Sequence, residues 1–184
     1  MSFRERSMGR RLALQYMFAL DHTGYDWQAG LESFWEMDPV RLTRESFKEG
    51  ESPVFEADTA NISRAKAWAY AKRLVEGACV NEAEISERIA SALDNWSTDR
   101  LGHIERSVLR VAMSELLYGA GVPAAVVISE AVNVAKEFGA EDAPRFVNGV
   151  LDRMRKMLEA DDFTSPPPRP QAPDDGEGCE EGDE

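Results

Sequence analysis

Glu137-Phe138-Gly139-Ala140-Glu141-Asp142-Ala143-Pro144-Arg145-Phe146-Val147-Asn148-Gly149-Val150-Leu151 is the stretch from which the rest of the chain can be read. It describes a helix end, a short turn and a new helix start. Gly139 suits a left-handed helix stop, and Asp142 and Pro144 suit the first turn of the helix that follows. Downstream, Val147, Val150, Leu151, Met154 and Leu158 recur at helical spacing and define a buried side. Phe146 falls about 100° from Val147, at the edge of that side. A large aromatic on the rim of a buried stripe, beside Arg145, either packs or stacks on a ligand.

Helical patterns extend outward from this turn. Pro123 opens a helix whose inward residues are Val127, Ala131, Val134, Ala135 and Phe138. Before it, Ile104, Val108, Val111, Ala112, Glu115 and Leu116 describe a long helix to Tyr118, stopped by Gly119 and Gly121. A polar turn is expected at Asn95–Asp99. Asn81, with Glu84 three residues on, resembles a capping box for a helix that ends near Leu93. Thr59 to Ala78 carries another helical pattern, and Trp27, Leu31, Phe34 and Trp35 mark a shorter amphipathic one. Residues 37–58 hold Pro39, Gly50, Pro53 and many charges without a steady period, and read as a loop or insertion. Residues 4–21 form the first helix, apolar nearly all round, which suits burial on several sides or sharing with a partner. No stretch alternates with the period of a strand, and the fold class is all-α.

The chain has 184 residues and a net charge of −13. Its charge is unevenly spread. Residues 161–184 contain nine acidic residues and one arginine, which leaves only −5 for residues 1–160. The first sixteen residues carry Arg4, Arg6, Arg10 and Arg11 against Glu5 alone, a basic end suited to phosphate. Arginines at a helix N-terminus oppose the helix dipole, which favours an external anion beside them. Beyond residue 160 the proline-rich acidic sequence cannot bury enough apolar surface to fold. Cys79 and Cys179 make no disulfide framework and read as free thiols, no run is apolar enough to span a membrane, and the expected location is cytoplasmic.

Catalytic patterns are missing. His22 and His103 are the only histidines, with no carboxylate or cysteine at ligand spacing, and there is no Walker loop or G-x-S-x-G elbow. Neither an enzyme, a metal nor a cofactor is expected.

The second half carries Glu105-Arg106-Ser107-Val108-Leu109-Arg110, Ser114-Glu115-Leu116-Leu117-Tyr118, Val122-Pro123, Val127-Ile128-Ser129-Glu130-Ala131-Val132, Ala135-Lys136-Glu137-Phe138-Gly139-Ala140-Glu141-Asp142 and Arg145-Phe146-Val147-Asn148-Gly149-Val150-Leu151-Asp152. In these runs it resembles the transcription antitermination factor NusB family. The first helix fits through Arg6, Arg10 and Ala13-Leu14-Gln15-Tyr16-Met17-Phe18. Together these cover most of residues 4–158. The resemblance implies about seven helices in one domain over 1–160. A three-helix N-terminal subdomain would span about 1–79, with the loop at 37–58, and a four-helix C-terminal one about 80–160. The loop at 37–58 and the tail, read from its composition as disordered over 161–184, lie outside what the resemblance explains.

It also implies a non-catalytic subunit that pairs with ribosomal protein NusE and binds boxA-like single-stranded RNA. The pair would sit in an antitermination complex with RNA polymerase, during transcription of ribosomal RNA. Arg6 and Arg10 match the family's arginine-rich start and are assigned to phosphate, with Arg4 and Arg11 matching less clearly. Ser7 and Met8 stand where a typical member has more arginine. Phe18 stands where the family often has tyrosine, so stacking is kept and a hydroxyl contact is lost. Phe146 is the second stacking residue, beside Arg145, and Asp142, Glu115 and Arg145 are the expected contacts with the protein partner. The sequence leaves open a monomer and a homodimer that hides the RNA face. Two other functions fit less of it: a protein-only helical adaptor in ribosome biogenesis or transcription, favoured by the net acidity, and a detached NusB-like domain of an RNA methyltransferase.

Overall fold

A computed structural model describes residues 1–24, 26–37, 63–93, 101–119 and 121–160. Among them lie seven helices and no strand: α1 Phe3–Thr23, α2 Trp27–Glu36, α3 Arg64–Val80, α4 Glu82–Ala92, α5 His103–Tyr118, α6 Ala124–Phe138 and α7 Ala143–Glu159. The expected loop at 37–58 (Met37 apart), the turn at Asn95–Asp99 and the tail from 161, with Cys179, lie outside the described residues.

The apolar circumference of α1 is explained by its place at the centre. It packs most extensively on α3, next on α5, and also touches α2 and α6. Met8, Leu12, Ala13, Leu14, Tyr16 and Met17 are all buried, so this helix exposes little beyond its ends. By contrast α7 lies on the outside and buries one stripe, Val147, Val150, Leu151 and Met154. The buried residues form one cluster that draws on both expected subdomains. Arg110 braces its edge, bonding Asp21 of α1 at 3.1 Å and Glu82 of α4 at 3.0 Å.

Three local expectations need correction. Gly139 is extended (φ −94°, ψ −179°), not left-handed; its small size matters because a Cβ there would stand 2.7 Å from the Ala135 carbonyl oxygen and from the Ala143 Cβ. Asn81 stands at the N-cap of α4, where its carbonyl oxygen accepts from Ile85 N–H at 3.0 Å, but its side chain closes no capping box: Nδ2 donates back to the Gly77 carbonyl oxygen of α3 at 2.9 Å. Asp142 is the N-cap of α7 through its carbonyl oxygen, which accepts from Phe146 N–H at 3.1 Å, but its side chain makes no capping hydrogen bond. The capping box that does form is at Ser2, where Glu5 N–H donates to Oγ at 3.2 Å and Ser2 N–H donates to Glu5 Oε2 at 2.7 Å. Glu5 also places a carboxylate in the first turn of α1, offsetting part of the arginine–dipole conflict.

Gly9 sits where α1 approaches the backbone of α3. A Cβ at that position would lie 2.8 Å from the Ala67 carbonyl oxygen and 2.9 Å from a Tyr70 ring carbon. Backbone cannot yield as a flexible side chain can. Gly9→Ala is therefore expected to destabilise the protein by about 1–3 kcal/mol through overpacking, measured as a lowered urea midpoint with the helical circular dichroism of the native state retained.

Candidate nucleic-acid interface

Four arginines open α1, and the helix sends them to two different environments. Arg10 and Arg11 point inward and are buried, whereas Arg4 is exposed and Arg6 half-buried. A buried guanidinium must be paired, since an isolated charge in the interior is prohibitively costly. Arg10 meets this with a two-pronged contact to Glu115 of α5, Nε to Oε2 at 2.7 Å and Nη2 to Oε1 at 2.6 Å. Its Nη1 reaches Glu130 of α6 at 3.3 Å. The Tyr70 hydroxyl of α3 donates to Glu115 Oε1, and the Arg10 guanidinium lies 5.7 Å from the centre of the Tyr70 ring. Burial works against the Arg10 charge, but the hydrogen bond and attraction of Glu115 outweigh it, and the net shift of its pKa is upward.

This placement changes two expectations. Arg10 was assigned to phosphate and Glu115 to a protein partner, yet each is at most 3% exposed and they hold each other. Arg11 is likewise committed: its Nε bonds Glu137 of α6 at 2.7 Å, and its Nη1 bonds the Ser7 hydroxyl at 2.6 Å. These arginines join helices. Arg4 is exposed and Arg6 half-buried, with Arg6 Nη1 donating to the Met1 carbonyl oxygen at 3.5 Å and its buried Nε without a hydrogen-bond partner among the described residues.

Phe18 is half-buried near the far end of α1. It sits 4.3 Å from the His22 ring, and His22 lies 4.6 Å from His103 at the start of α5, so three rings from two helices form one cluster. Sequence reading weighed those histidines only as ligands or catalysts, and nothing in their separation of 81 positions marks them as neighbours. Phe146 is also half-buried, on the wall of an open groove of about 470 Å³. Leu93, Asp142, Arg145, Gly149 and Arg153 share this groove. Asp142, Arg145 and Phe146, expected from the sequence, thus come together there; Arg153 and Gly149 were missed. Their signal was present, because 145, 149 and 153 are spaced by four and fall in one row along a helix.

Two contacts set these parts around one turn. The Arg11–Glu137 pair ties the basic start of α1 to the end of α6, from which the chain turns through Gly139 into α7. Glu105 Oε1, in the first turn of α5 beside His103, lies 3.6 Å from where a Gly139 Cβ would stand. The arrangement can offer cations, half-buried rings and an open groove. Among the described residues no group of three or more metal-ligating side chains occurs, and burial pushes the Cys79 thiol up to about 11, far from a thiolate nucleophile at neutral pH.

Removing Arg10 leaves Glu115 buried and uncompensated. Arg10→Met is expected to cost about 3–5 kcal/mol, and the double variant with Glu115→Leu less than the sum of the single ones, as read by urea unfolding of all four proteins. A second test uses Tyr70, whose hydroxyl is pushed from 10.0 up to about 12 by burial and then by Glu115. The fold keeps this proton where the unfolded chain sheds it. The contribution is therefore complete below pH 10 and is lost as pH rises toward about 12. Stability measured above pH 10 should fall more steeply in the native protein than in Tyr70→Phe.

Comparison with known proteins places this geometry. The NusB family model matches residues 9–156. The chain is 39% identical over 153 residues to the transcription antitermination protein NusB of Geobacter sp. (strain M21), covering 83% of this chain and 95% of that one. With the protein of that name from Geobacter sulfurreducens it shares 34% identity over 156 residues, with the same coverage. Among solved structures, it is similar to a NusB crystallised with NusE and dsRNA (TM-score 0.62, 28% identity, 84% of this chain and 98% of that one). The solution structure of NusB from Aquifex aeolicus has a TM-score of 0.63 and 26% identity, covering 92% of this chain and 100% of that one.

Proposed function

Because the chain belongs to the NusB family, we propose that it is a non-catalytic, RNA-binding transcription antitermination factor that pairs with ribosomal protein NusE. Together they hold boxA-like single-stranded RNA while ribosomal RNA is transcribed, in the complex that keeps RNA polymerase elongating. The observation that carries this reading is the groove at the start of α7, where Phe146 shares one surface with Arg145 and Arg153. Single-stranded RNA needs two things of a protein: cations along its backbone and flat surfaces under its unstacked bases. Phe146 and Phe18 are half-buried, so each is fixed in place and still reachable. Arg4, Arg6 and Arg145 are at the surface for phosphate, while Arg10 and Arg11 shape the scaffold that presents them. Asp142 is exposed at the groove and remains the first choice for contact with NusE. The relative crystallised with NusE and dsRNA supports both kinds of partner; the choice of a single strand rests on the aromatic shelves, which a fully stacked duplex would not use.

A protein-only adaptor draws support from a specific finding. Two of the four N-terminal arginines are consumed in the interior, which weakens the basic surface on a chain of net charge −13. The two readings part at Arg6. In the complex with NusE, Arg6→Ala should lower the salt dependence of boxA RNA binding by about one phosphate contact, and Phe146→Ala should cost about 1–3 kcal/mol of RNA affinity. Both variants should pair with NusE normally. Fluorescence anisotropy at several salt concentrations, with single- and double-stranded probes, measures this. Equal RNA affinity in both variants and the native protein would leave the adaptor standing.

A further inference from the structure

The chain holds two histidines, and the meeting of α1 with α5 brings them together. His22 lies in the last turn of α1 and His103 opens α5. Both are exposed, with ring centres 4.6 Å apart and planes tilted by 44°. His22 Nδ1 stands 2.8 Å from the Phe18 carbonyl oxygen. A carbonyl oxygen can only accept, so Nδ1 carries the proton, and in the neutral ring the free lone pair is then on Nε2. A backbone carbonyl on one ring nitrogen is how proteins commonly orient a histidine whose other nitrogen binds a metal. Phe18 steadies the same ring: its centre is 4.3 Å from His22 and 6.5 Å from His103, so the three centres make nearly a right angle at His22. Phe18 and His103 therefore approach His22 from different directions, and the three rings are not one continuous stack.

We propose that His22 and His103 form a binding site for a divalent transition-metal ion of the zinc, nickel or copper type. Two imidazoles that share one such ion at about 2.1 Å have ring centres about 5 Å apart, close to the separation seen here. Local charge suits a cation. The last carbonyls of α1 carry partial negative charge beside His22. The start of α5 opposes a cation, but the Glu105 carboxylate folds back against Gly102, the residue before His103, and offsets this. Among the described residues the chain supplies two ligands, and water completes the shell. The ion is thus exchangeable, and it couples α1 to α5 without being required for folding. Imidazole selects this class of ion over magnesium and calcium, which prefer oxygen. The site stands independently of the RNA-binding function proposed above.

Zinc chloride titrated into the full-length protein, in excess magnesium to occupy carboxylates, should show one zinc per chain by isothermal titration calorimetry. His22→Gln and His103→Gln should each weaken this binding at least about tenfold. Their urea midpoints in EDTA should match that of the native protein, since both rings are exposed. Because the chain has no third histidine, nitrogen NMR of the imidazoles reads both rings without any substitution. Zinc should shift both at the same equivalence, with Nε2 as the bound nitrogen of His22, and affinity should rise from cobalt through nickel to copper. Absence of zinc binding overturns the proposal. So does zinc that shifts one ring or neither, or binding that survives in both variants, which would assign the ion to carboxylates or thiols.

Discussion

The contact between Arg10 and Glu115 holds the arrangement together. It joins the central helix α1 to α5, and through Glu130 and Tyr70 it draws in α6 and α3, so four helices meet at one pair of charges. The hydrophobic effect itself is not directional, and the steric fit of the packed side chains is supplemented here by a contact that is. A forked, two-bond contact between planar groups has a definite register. The interior thereby acquires one orientation of α1 relative to α5 and α6, and every surface group on those helices inherits it.

That arrangement separates arginines that look alike in the sequence. Arg6 and Arg10 are four residues apart and share a face of α1, but Arg6 lies in the first turn and is half-buried, whereas Arg10 sits one turn further in, where it meets Glu115 and Glu130. Two of the positive charges are spent on internal carboxylates, Glu115 and Glu137. Affinity for an anion then has to come from a few scattered cations and from flat rings, not from a dense basic patch. This suits the proposed function, in which the ligand is shared with a partner protein and neither need hold the strand alone.

The helices were legible because their evidence is local: the stripes of α5, α6 and α7 repeat every three to four residues, and α1 announced its central place by being apolar all round. The NusB-like runs added the order of the helices. The destination of each arginine was not legible. Whether Arg10 faces water or Glu115 depends on a residue 105 positions away, and no short-range pattern encodes that distance. The same holds for Phe18, His22 and His103, which the fold gathers from two helices. Gly139 and Asn81 show a subtler limit. Sequence placed their helix ends correctly, yet a glycine can stop a helix through size as well as handedness, and an asparagine between two helices can serve either one.

The uninterrupted length of α1 has one more effect. Arg6 and Phe18 stand on a single helix whose backbone hydrogen bonds run from Phe3 to Thr23, and twelve residues of α-helix measure roughly 18 Å. A continuous helix of this kind holds the two side chains at a fixed spacing set by main chain, so a strand that reached from one end to the other would be gauged for length before any base was inspected.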